Sequence, residues 1–120
     1  MRISKSKFSD ICAEVSAQNV AEAVEIAKNN GSKDGGGKLG FGKLLMNAMF
    51  CRRIVGALGF GEDDNSEVEI SKESFDKATQ EVVATATEGA EGDMAIIMMM
   101  ESIIFTSKLE DRLFGKETEG

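Results

Sequence analysis

The chain reads as all-α, a small bundle of four to five helices with a glycine-rich connector between the first and second helical regions. Three observations predict this. Apolar residues recur at helical spacing in several separate windows. No proline interrupts any of them. The breaks between windows carry the residues that start and stop helices. At 120 residues the chain suffices for one core. It predicts a single helical domain over 1–115 and a disordered tail over 116–120.

Residues 1–8 fit either a short extended segment or a loop. From Ser9, Phe8, Ile11, Cys12 and Val15 mark a helical stripe. SAQN interrupts it, and Asn19 with Glu22 has the form of a capping box, so residues 9–30 fit one kinked helix or two. Gly31 suits the end of that region. GSKDGGGKLGFGK, residues 31–43, is the connector, with six glycines that helices avoid. A helix over roughly 41–58 follows, with Leu44, Leu45, Met46, Met49, Phe50, Ile54, Val55 and Leu58. Being apolar on most of its circumference, it is expected to be central and buried. GFGEDDNS is a loop, and SEVEI suits a brief extended segment. Ser71 reads as an N-cap with Ile70 and Phe75 as a hydrophobic staple, and Phe75, Ala78, Val82 and Ala86 carry the stripe to about Thr87. EGAEG breaks it. Asp93 is expected to cap a last helix over 94–114, which Gly115 ends.

That last helix, with GDMAIIMMMESIIF at its start, carries the strongest signal. Glu101 divides its apolar run, which is too short for the ~20 residues of a membrane span. Met98, Met99 and Met100 point in three directions around a helix, so they do not converge on a soft metal. On a helical wheel, Met98, Ser102, Phe105, Leu109 and Leu113 form one stripe. Ile96, Met99, Met100, Ile103 and Phe114 form a second on the opposite side, with Glu101, Lys108 and Arg112 as a solvated seam between them. One apolar face suffices for a helix in a small monomer. Two faces mean a helix sandwiched in the bundle, or one face kept for another chain. Methionine suits the latter because it repacks against varied partners. Ile96, Met99, Met100, Ile103 and Phe114 are therefore the candidate protein-binding residues.

Charge and composition narrow the function. The net charge of −7 divides as +4 over residues 1–60 and −11 over residues 61–120. The halves either lie against each other or pair head to tail between copies. An acidic chain is a poor nucleic-acid binder. There is no histidine, which removes the usual general base and the commonest metal ligand. Cys12 and Cys51 match no zinc spacing, and Cys51 reads as a small core residue. Their scarcity, with no apolar stretch after the basic start, predicts a cytoplasmic protein. Residues 39–60 have the glycine-rich, basic, apolar character of interfacial peptides, but buried core helices share it, so membrane binding is not expected.

Two stretches imitate binding motifs. Gly37–Lys43 matches GxxxxGK, yet Leu44 stands where magnesium-binding Ser or Thr belongs and no strand precedes it; a flexible connector accounts for it better. GEDDNSEVE lacks the calcium-loop frame and reads as a solvated acidic loop. No catalytic, cofactor-binding or metal-ligating residue emerges, and the chain is expected not to be an enzyme.

In its size, helical content, apolar helical surface at Ile96, Met100 and Ile103, and acidic C-terminal half, the chain resembles the tail assembly chaperones of long-tailed bacteriophages. That resemblance covers the overall plan and implies binding of apolar parts of a tape-measure protein, with self-association into spirals or rings. The expected function is thus a non-enzymatic, protein-binding protein that forms homo-oligomers and shields apolar segments of a partner. The alternative is a small acidic inhibitor whose second half mimics nucleic acid to block a basic enzyme.

Overall fold

A computed structural model describes residues 1–115; the tail expected to be disordered lies outside them. Four helices run α1 (Lys5–Asn29), α2 (Gly37–Leu58), α3 (Lys72–Thr85) and α4 (Gly92–Phe114), joined by a two-stranded sheet of β1 (Arg2–Ser4) and β2 (Glu67–Glu69). The all-α expectation holds.

The side-chain pairs fix an up-down-up-down order. Asn19 meets Asn47, so α1 and α2 are antiparallel. Arg53 reaches Thr85 between α2 and α3, and Phe75 packs on Phe114 between α3 and α4, with ring centroids 5.7 Å apart. Lys108 and Arg112 of α4 return to Asn19 and Glu14 of α1. Each helix thus packs on its neighbours in sequence and the last closes on the first, the plan of a four-helix bundle. Phe8, Phe50, Phe75 and Phe105 are fully buried at its centre with Ile54, Ile70 and Leu109.

Local chemistry explains most boundaries. Ser71 accepts the Ser74 amide at 3.0 Å while Ser74 Oγ accepts the Ser71 amide at 2.9 Å, a reciprocal cap. Ile70 and Phe75 are both fully buried, and Phe75, Ala78, Val82 and Ala86 all face the core, as the stripe predicts. The brief extended segments are real: β1 and β2 pair antiparallel, Ile3 opposite Val68.

Elsewhere the structure corrects the sequence. The first helix starts at Lys5, not Ser9, because Ser4 Oγ accepts the Lys7 amide at 3.1 Å. The loop after α2 adds its carbonyls: Lys5 and Ser6 amides donate to Ser66 and Asp64, so the acidic loop terminates α1. α1 is one unbroken helix, and Asn19 is a buried mid-helix residue rather than a cap. α2 begins at Gly37, so half the expected connector is helical; the linker proper is residues 30–36. Nor is α2 central and buried. Gly40, Asn47, Phe50 and Ile54 face inward while Leu39, Phe41, Leu44 and Leu45 are exposed. At α4, Glu91 occupies the N-cap and Asp93 lies in the first turn, where its charge meets the helix dipole.

Two measurements test this packing. Phe105→Ala removes a fully buried ring at the α2–α4 contact, 6.0 Å from that of Phe50, and should lower unfolding free energy by about 3–5 kcal/mol in urea. Glu110 faces α3, where burial, then a hydrogen bond and repulsion from Asp76, raise its carboxyl pKa against the weaker pull of Lys72. A raised carboxyl is penalised once ionised, so the folded state loses stability as pH rises through and above the ordinary glutamate range. Glu110→Gln should therefore be more stable than the parent at neutral pH, with the gap closing below about pH 4, where both states are protonated.

Candidate protein-binding surface

Thirteen large apolar side chains are exposed among the described residues, and all but Met1 lie at one end of the bundle. That end is formed by the last turns of α1 and the first halves of α2 and α4. Ile26 comes from α1, Leu39, Phe41, Leu44 and Leu45 from α2, and Met94, Ile96, Ile97, Met99, Met100, Ile103 and Ile104 from α4. The core stripe of α4 is fully buried only from Ser102 onward; before it, the helix presents apolar side chains in nearly every direction.

The candidates of the last helix divide accordingly. Ile96, Met99, Met100 and Ile103 are 53, 40, 56 and 49% exposed and share this end. Phe114 does not join them: its ring is half-buried against Phe75, on the core side. Met98, placed by the wheel in the core stripe, is half-buried. Sequence patterning missed the contribution of Ile26 and α2. The available signal was the all-round apolarity of the second helix, which marks unburied surface as readily as a central position.

Polar side chains hold this end together. Lys43 of α2 pairs with Glu101 of α4, both less than one-fifth exposed, so the expected solvated seam is interior at Glu101, though Arg112 is exposed as expected. Lys108 Nζ donates to Asn19 Oδ1 at 2.6 Å and to Glu22 at 2.9 Å. Asn19 Nδ2 donates to Asn47 Oδ1 at 2.8 Å, and Asn47 Nδ2 to the Lys43 carbonyl at 2.7 Å. The chain of bonds joins α1, α2 and α4 directly beneath the apolar surface. Above it, a cleft of about 270 Å³ is lined by Ile26, Leu39 and Ile104 over Asn19, Lys43 and Lys108.

The connector is seated rather than loose. Asp34 accepts the Gly36 and Lys38 amides at 3.0 Å each and the Ser32 hydroxyl at 2.7 Å. Those bonds, Ser32's first, hold its carboxyl below the usual range. Gly36 has φ +86°, and a Cβ there would lie 3.1 Å from Ala27 and Val24. A Cβ on Gly40 would meet Val24 at 2.9 Å. These two glycines let α2 approach α1 and thereby lay Leu39 beside Ile26. The GxxxxGK residues are helical, and Lys43 is committed to Glu101, so no phosphate cradle forms.

Among the described residues no helix is long and apolar enough to cross a membrane, and no three His, Cys, Asp or Glu side chains gather as a metal cluster would. No protein-family model, curated protein or solved structure matches the chain.

The Lys43–Glu101 link gives a direct test. Glu101→Ala strands a largely buried ammonium and should destabilise by about 1–3 kcal/mol. Converting both positions to Met removes the stranded charge and should recover most of that loss in urea unfolding.

Proposed function

We propose that this chain is a non-enzymatic, protein-binding protein that self-associates and covers apolar helical segments of a partner, in the manner of a phage tail assembly chaperone. The observation that carries the reading is the concentration of exposed Ile, Leu, Met and Phe on one end of an otherwise ordinary bundle. Twelve such side chains, each near half exposed, come from three helices at that end, where large exposed apolar side chains are otherwise usually scattered singly. Met94, Met99 and Met100 give it flexible, polarisable side chains that adapt to differing surfaces.

The polar network below suits this role. A docking face must stay in shape while unoccupied, and the buried residues at this end are small or polar, Ala23, Asn19 and Asn47. Hydrogen bonds from Lys108 through Asn19 and Asn47 supply the missing rigidity.

Light scattering across a concentration series should show oligomers that grow with concentration. Ile96→Gln, Met100→Gln and Ile103→Gln together should leave helical circular dichroism and the unfolding midpoint nearly unchanged while reducing the mass to a monomer. A parent protein monomeric at every concentration, or a triple variant that unfolds, would remove the basis for the proposal.

A further inference from the structure

We infer that Cys12 and Cys51 form a thiol–disulfide exchange site, in which a small-molecule disulfide enters the cleft between α1 and α2 and the two cysteines close to an intramolecular disulfide joining the helices. The cleft borders the polar network at Asn47 and the exposed apolar end at Leu44, but the exchange chemistry does not depend on the protein-binding reading.

Both cysteines are free. They come from positions 39 residues apart yet line one cleft between α1 and α2. That cleft has a volume of about 260 Å³, with Ser16, Leu44, Asn47 and Ala48 in its walls. Cys12 is 2% exposed while Cys51 is half-buried, so a guest reaches the Cys51 sulfur first.

A second observation points to a guest. Ser16 is 8% exposed, and its Oγ is the one buried side-chain polar atom without a hydrogen-bond partner among the described residues. Buried Asn19, Asn47, Ser102 and Thr106 all have partners. An orphaned hydroxyl in a cleft wall is a donor free for a bound molecule.

The two thiols are chemically distinct. The hydrogen bond with Cys51, then burial, pushes the Cys12 thiol far up; the same bond lowers that of Cys51 against its own burial. Cys51 is the thiolate that attacks and Cys12 the protonated thiol that waits. Two sulfurs and a hydroxyl fall short of the four donors zinc takes, which favours exchange chemistry over a metal.

The steps balance. Cys51 gives up its proton, and its thiolate attacks one sulfur of a disulfide R–S–S–R. A Cys51–S–R bond forms, the R–S–S–R bond breaks, and the departing thiolate takes that proton as R–SH. Cys12 then loses its proton and attacks the Cys51 sulfur, expelling a second R–S⁻, which leaves as R–SH. Two protein thiols are oxidised by two electrons and one small disulfide is reduced to two thiols.

Oxidised glutathione is the probe. The folded full-length chain is incubated with it, quenched in acid, denatured, alkylated and weighed by mass spectrometry. The parent should lose both alkylatable thiols together as an internal disulfide. Cys12→Ser should stop at a glutathione adduct on Cys51, whereas Cys51→Ser should form an adduct at least about tenfold more slowly, its remaining thiol being shielded. Two thiols still alkylatable in the parent after prolonged incubation, or disulfides only between chains, would overturn the inference. So would equal adduct rates in the two variants.

Discussion

The hydrogen bond between Asn19 and Asn47 sets the frame in which the other helices sit. Both side chains are buried, and an amide buried without a partner costs about 1–3 kcal/mol. Sliding α1 along α2 parts the two amides and also drives Val24 away from the slot at Gly40, where a Cβ would lie 2.9 Å from its side chain. Polar pairing and steric fit therefore select the same register. Lys108 adds α4 to the pair through Asn19, so a single buried contact aligns three of the four helices.

The division between the two ends of the bundle follows. Away from the connector, phenylalanines fill the space between helices and the β1–β2 ladder closes the end. Toward the connector the large buried side chains run out. The helices are held by amides, an ammonium and the Lys43–Glu101 pair, all directional and geometrically demanding. Apolar residues released from core duty point outward there. One chain thus combines a conventional core with an end whose organisation leaves its greasy side chains free.

What was legible in the sequence depended on range. Ile70, Ser71 and Phe75 act within six consecutive positions, and that cap and staple were visible, although the returning bond of Ser74 was not. The stripe from Phe75 to Ala86 was equally plain, as was the core stripe of α4 from Ser102 onward. Asn19 misled because Asn followed by Glu at three residues is a local capping signature; its true partner is 28 residues away. Glycines at 37–42 looked like a linker because propensity disfavours them in helices, while close packing at Gly40 overrides propensity. The wheel found the outward face of α4 in Ile96, Met99, Met100 and Ile103. It misplaced Phe114, because only the position of α3 decides which way the last turn looks. No local pattern foretold the meeting of Cys12 and Cys51.

The β1–β2 ladder has a kinetic consequence. Its Arg2–Glu67 contact spans 65 residues of chain, with both α1 and α2 enclosed between the strands. Closing an interval of that size is entropically costly in an unfolded chain, whereas an α1–α2 hairpin joined by a short, self-bonded turn brings the strands together almost for free. The ladder therefore zips last, after the first two helices have found their register. With no proline in the chain, there is no slow prolyl isomerisation to delay it. The small sheet thus acts as a clasp on a helical unit already assembled.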